Sequence, residues 1–159
     1  HRVDRRQRQM CIRDSIRLGR YLERVDMISR IIDCLCITKS EKQTYDFSSM
    51  EWISLLSILS AQDAFRKISK GEVDRGEVIN FLLKNDSFPR SLTRCLSILR
   101  LCLESLPNNE NIILKIRSLR LRFDVSNFDK FDDEKLHNFL DKCQKDLTSI
   151  DNLVEQNYF

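Results

Sequence analysis

Two neighbouring residues of opposite charge, Glu23 and Arg24, stand in the stretch LGRYLERVDMISRIID, with Arg20, Asp26 and Arg30 around them. Carboxylates accept hydrogen bonds and hold amines, and guanidinium forks hold carboxylates through two parallel bonds. Such a set suits either docking of a protein partner or capture of an amino or carboxyl group of a peptide. Gly19, Glu23, Asp26 and Arg30 follow one another at spacings of four, three and four. At roughly 100° per residue they share one helix face, nearly opposite the apolar stripe of Leu18, Val25 and Ile32. Asp26 reaches Arg30 one turn on, whereas Glu23 and Arg24 diverge by about 100° and are not expected to pair. The simplest reading of this face is solvated charge. Gly19 argues against it, because a mid-helix glycine costs about 1 kcal/mol relative to alanine, and close approach of another backbone or a ligand is one compensation. The face is therefore expected to be covered rather than wet.

No other group of residues suggests chemistry. Glycine is too scarce for a phosphate loop or a nucleophile elbow, and no HExxH stands in the chain. The six cysteines (Cys11, Cys34, Cys36, Cys95, Cys102, Cys143) form no CxxC, and only His1 and His137 offer imidazole, so neither zinc nor any cofactor is expected. Cys95 and Cys102 lie seven apart on a leucine-rich face and read as small buried hydrophobes. His137 reads as a partly buried structural imidazole, and Asp132 and Asp133 as helix caps. No catalytic residues are assigned.

The elements that must hold the Glu-Arg stretch are helical. Leu18, Leu22, Val25, Ile28, Ile32 and Leu35 mark a first amphipathic helix. Ser48 with Glu51 makes a capping box ahead of Trp52, Leu55, Leu56 and Leu59, a helix that either continues through AQDAFRKI or bends near Ser60. Asp74 with Glu77 repeats that arrangement before VINFLL. NDSFPRS offers Asp86 or Ser87 as a cap with Pro89 in the first turn, and the stripe from Leu92 to Leu106 runs to Pro107. Ile112 to Phe123 mark a fifth helix, and Leu136 to Val154 a long last one. No β-alternation survives, so the expected fold is all-α, an antiparallel bundle of five or six helices.

The chain has 159 residues, enough for one domain with a real core, and no apolar run near the ~18 residues a membrane span needs. A cytoplasmic setting, without membrane contact, is expected. Arginines crowd the N-terminus, and a basic arm normally suggests nucleic acid. Here, however, Arg5 to Ser15 resembles the translation of an adapter used in transposase-based DNA library preparation, one reading frame supplying every residue. Residues 1–15 are thus expected to be non-native and unpacked, and 16–159 the domain. Without that segment, 27 basic residues lose 5 and 24 acidic residues lose 2, leaving 22 of each. The formal charge of +3 disappears, and with it the reason to expect nucleic acid.

The segment LGRYLERVDMISRIID, followed in order by EWISLLSILSAQDAFRK, VINFLLKNDSFPRSLTRCL, LHNFLDKCQ and a terminal YF, resembles the bacterial alpha-E family, a helical domain named for a Glu-Arg motif that corresponds here to Glu23 and Arg24. The resemblance implies that residues 16–159 are the second of two related halves, the missing N-terminal half of the same chain being a partner. It also implies association with ATP-grasp type peptide or amide ligases and with transglutaminase-like peptidases. On that basis the expected function is a non-catalytic helical partner module, with Glu23, Arg24, Arg20, Asp26 and Arg30 contacting the partner or ordering the bundle. The alternative is an enzyme or peptide-binding domain that draws Glu/Arg clusters from both halves.

Overall fold

The computed structural model describes the backbone of residues 2–41, 48–69, 71 and 73–158, and the side chains of 12–37, 49–69, 71 and 73–158. Among the described residues there are seven α-helices and no strand: α1 (Arg2–Glu41), α2 (Ser48–Ile58), α3 (Gln62–Arg66), α4 (Arg75–Lys84), α5 (Leu92–Glu104), α6 (Glu110–Val125) and α7 (Asp133–Tyr158), with a 3₁₀ turn at Phe128–Lys130. The fold is all-α, as expected, with more helices than the five or six anticipated.

The extra helix comes from a break at Ser60. Its φ of 49° lies in the left-handed region. Ser60 N–H donates to Ser57 O and Ala61 N–H to Leu56 O, the paired bonds that close a helix C-terminus. The α4 cap forms at Asp74, whose carboxylate accepts from Gly76 N and Glu77 N, but Glu77 turns away to accept from Ser69 Oγ at 2.9 Å. The α5 start differs from expectation. Asn85 accepts from Ser87 N and Phe88 N in a turn, Pro89 precedes the helix, and Ser91 caps it by accepting from Arg94 N. Ser91 wins because its backbone is extended and its hydroxyl is free to meet the first turn. Asp132 caps α7 through Lys135 N, while Asp133 accepts Arg75. The Ser48 side chain of the proposed capping box lies outside the described residues.

α1, α5, α6 and α7 form an antiparallel four-helix ring in which α1 packs on α5 and α7, and α6 packs on the same two from the far side. The polar ties show the directions. Asp14 in the first half of α1 meets Ser105 at the end of α5, Asp33 in its second half meets His137 at the start of α7, and Arg122 pairs with Asp146 across α6 and α7. The four apolar stripes converge on residues such as Val25, Leu96, Ile116 and Leu140, all buried. Helices α2 to α4 cap one end. Lys84 donates to Asp124 O and Ser126 O, and Arg75 to Phe131 O and Asp133, so α4 is pinned to the α6–α7 connection. That connection is filled by Phe128, whose ring meets those of Phe131 and Phe139 edge-on, each with centroids 5.2 Å apart.

α1 crosses the expected boundary at residue 15 without interruption. Ile12 is 60% exposed, Asp14 accepts a 3.2 Å hydrogen bond from Ser105, and the Cys11 side chain lies outside the described residues. Among the described residues, no helix is long and apolar enough to cross a membrane.

Candidate functional site

The Glu-Arg stretch lies in the middle of α1, and its buried stripe decides where each charge points. Leu18, Leu22, Val25, Ile28 and Ile32 are sealed between α5 and α7. The residues between them fall on the two outer flanks. Glu23 faces α7. With Gly19, Asp26 and Arg30 it lines an open groove of about 310 Å³, flanked on the other side by Leu147, Thr148 and Asp151. Arg24 takes the α5 flank. Its guanidinium lies over the Tyr21 ring, 5.0 Å from the centroid, an arrangement that attracts the cation to the π face. It also reaches the Cys95 thiol, where its charge and hydrogen bond work against the burial that pushes that thiol up to about 11. Glu23 and Arg24 therefore serve different seams.

Within the groove, Asp26 and Arg30 form an ion pair at 2.8 Å, and this hydrogen bond holds the guanidinium above its ordinary pKa. Asp26 O also accepts from the buried Ser29 hydroxyl at 2.8 Å, fixing that turn of backbone. Arg20 is exposed and meets no carboxylate among the described residues. No described part of this chain covers Gly19. Gly19 is exposed, and a Cβ built on it meets no described atom within 4 Å. The groove opens beside it, so glycine here leaves space instead of admitting a backbone.

One polar tie escaped the sequence reading. The Asp33 carboxylate, its side chain 12% exposed, accepts from His137 Nδ1 at 2.6 Å and from Gln144 Nε2 at 3.4 Å, joining α1 to α7 below the groove. Ser29 and Asp33, one turn apart on an apolar helix side, were the available signal. Burial also pushes the Cys143 thiol up to about 12. Among the described residues, no group of three His, Cys, Asp or Glu side chains is placed to hold a metal.

A family model described as a predicted alpha-helical domain with a conserved ER motif matches residues 12–159. The chain belongs to the Alpha-E family. The match includes residues 12–15 of the stretch that resembles an adapter and takes in the whole four-helix ring from residue 12 onward. No curated protein and no solved structure matches this Alpha-E chain. Its sequence holds a single Glu-Arg dipeptide, Glu23 and Arg24, and that dipeptide is divided between the two seams of α1.

Proposed function

We propose that the chain is a non-catalytic partner module, a cytoplasmic helical platform that works with an ATP-grasp type peptide or amide ligase or with a transglutaminase-like peptidase. The observation that supports this reading is the outer ridge of α1. Ile16, Met27 and Ile37 are exposed there beside Glu23, on a helix held in place by α5 and α7. Aliphatic side chains interleaved with charge on a rigid element are what a protein partner covers. The partner classes come from the family resemblance, and free cysteines, four of the five described being buried, suit a cytoplasmic setting.

Co-purification with an ATP-grasp type ligase tests the reading. Glu23→Lys should abolish the complex while leaving the fold intact, since the Glu23 side chain is exposed. An undiminished complex would remove Glu23 from the contact, and no complex with wild-type chain would remove the reading. The groove favours a second reading, a peptide-binding site. Glu23, Asp26 and Asp151 present three carboxylates against the single guanidinium of Arg30, a balance suited to a peptide amino group. Isothermal titration with an amine-bearing tripeptide and its N-acetylated form separates the two, because only the second reading expects the free amine to bind.

A further inference from the structure

The α5 side of the same ridge carries an arginine row. Arg17, Arg20 and Arg24 follow at spacings of three and four, so they share one flank of α1, and Arg94 stands beside them on α5. Both Arg24 and Arg94 act electrostatically on the Cys95 thiol, and Arg17 acts on Cys102, which places these cations along the α1–α5 seam. None of the four has an ion pair among the described residues, although five other arginines do: Arg30, Arg75, Arg100, Arg120 and Arg122. Three arginines without an ion pair thus follow one another at helical spacing on this flank. Aliphatic surface borders it, with Ile16 60% exposed, and Met27 and Leu101 each 52% exposed.

We infer that this flank is the docking surface for an amphipathic helix of a protein partner, one carrying carboxylates along one side and aliphatic residues along its face. The inference rests on the partner-module reading and adds the chemistry of the partner. Carboxylates three and four residues apart on a helix repeat the spacing of Arg17, Arg20 and Arg24, allowing forked bonds to successive guanidiniums. The aliphatic residues then cover Ile16, Met27 and Leu101. A nucleic acid fits less well. Its phosphates leave those side chains uncovered, and a polyanion wider than one flank runs onto Glu23, Asp26 and Asp151 across the ridge.

The test uses the full chain and a labelled synthetic helix of about 20 residues with leucines at heptad core positions and glutamates along one flank, read by fluorescence anisotropy. Controls are the same helix with lysine for glutamate, a single-stranded 20-nucleotide DNA, and vesicles of phosphatidylcholine with phosphatidylserine. The glutamate helix should bind at least tenfold more tightly than the lysine helix. Arg17→Glu with Arg20→Glu should remove at least tenfold of that affinity, and Met27→Asp should weaken it independently. Both variants change exposed side chains, and their circular dichroism and melting should match wild type. Equal binding of the two helices, tighter binding of DNA or vesicles, or indifference to the double reversal would overturn the inference. With the natural ligase, a wild-type complex that survives the double reversal sinks this inference and spares the partner reading. Binding of the glutamate helix without any ligase complex does the reverse.

Discussion

Removing the His137 imidazole should cost this bundle more than an exposed side chain normally does. Asp33 is 9% exposed and its carboxylate accepts from His137 Nδ1 at 2.6 Å. In His137→Ala the donor left to it among the described residues is Gln144 Nε2 at 3.4 Å. Hydrogen bonds to charged groups contribute about 1.5–3 kcal/mol, and stranding one partner in a buried place costs its desolvation as well. Because the His137 side chain is 40% exposed, water replaces part of the loss, and the lower end of the range applies. A cost of about 1.5–2 kcal/mol lowers the melting temperature by roughly 3–8 °C in a chain of this size. Thermal and urea unfolding of wild type, His137→Ala, Asp33→Ala and the double variant closes a cycle whose coupling should reach about 1 kcal/mol. Additive losses, or a His137→Ala chain within about 0.5 kcal/mol of wild type, would refute the claim that this pair ties α1 to α7.

Two glycines should answer the same substitution with opposite signs. Gly19→Ala meets nothing within 4 Å, so in urea unfolding it should stabilise the chain by up to about 1 kcal/mol through helix propensity. Gly76→Ala places its Cβ 2.7 Å from Asp129 Oδ1, an atom already held by Asn80 Nδ2 at 2.6 Å, and should destabilise. Ser60→Gly relieves a left-handed serine that closes α2 and should raise the melting temperature by a few degrees, less than about 1 kcal/mol. The buried thiols set an alkaline limit. Folding raises Cys95 to about 11 and Cys143 to about 12 from the ordinary thiol value of 9.0, so above pH 9 the unfolded chain releases protons that the folded chain keeps. Stability present below pH 9 should therefore fall as pH rises toward 11, and Cys95→Ala with Cys143→Ala should flatten the fall in denaturant midpoints.

The apolar stripes were legible because helical period and burial report the same thing. Leu18, Val25 and Ile32 on α1, and Leu136, Leu140 and Leu147 on α7, are buried where their spacing put them. Caps were read less well. Asp74 and Asp132 hold their helices, but α5 is capped by Ser91 and not by Asp86 or Ser87, since several hydroxyl and carboxylate residues near Pro89 compete and only the backbone chooses. Tertiary ties were the least legible. Spacing within α1 reveals Asp26 with Arg30, but nothing local connects Asp33 to His137, 104 residues away. Gly19 misled because the penalty for a helical glycine is real while its compensation need not lie inside the chain.

The position of the Glu-Arg pair follows from ring geometry, and a swap would test it. In a four-helix ring each helix has two neighbours at about a right angle, and consecutive helical residues turn by about 100°. A charged dipeptide at the outer edge of α1 therefore sends one side chain to each seam, Glu23 toward α7 and Arg24 toward α5. Exchanging the two as Glu23→Arg with Arg24→Glu preserves composition, net charge and helix propensity. It should nevertheless damage both seams. The carboxylate brought to position 24 would meet the negative face of the Tyr21 ring, losing a cation–π contact of about 0.5–1 kcal/mol. It would also face the Cys95 thiol, whose burial Arg24 now offsets. The guanidinium brought to position 23 would crowd Arg30 and compete for Asp26. Urea unfolding should show a loss of about 1 kcal/mol, with further loss of any partner complex that Glu23 holds. A swapped chain as stable as wild type, with its complex intact, would mean that only the presence of the two charges matters, and the division of Glu23 and Arg24 between two seams would then carry no functional weight.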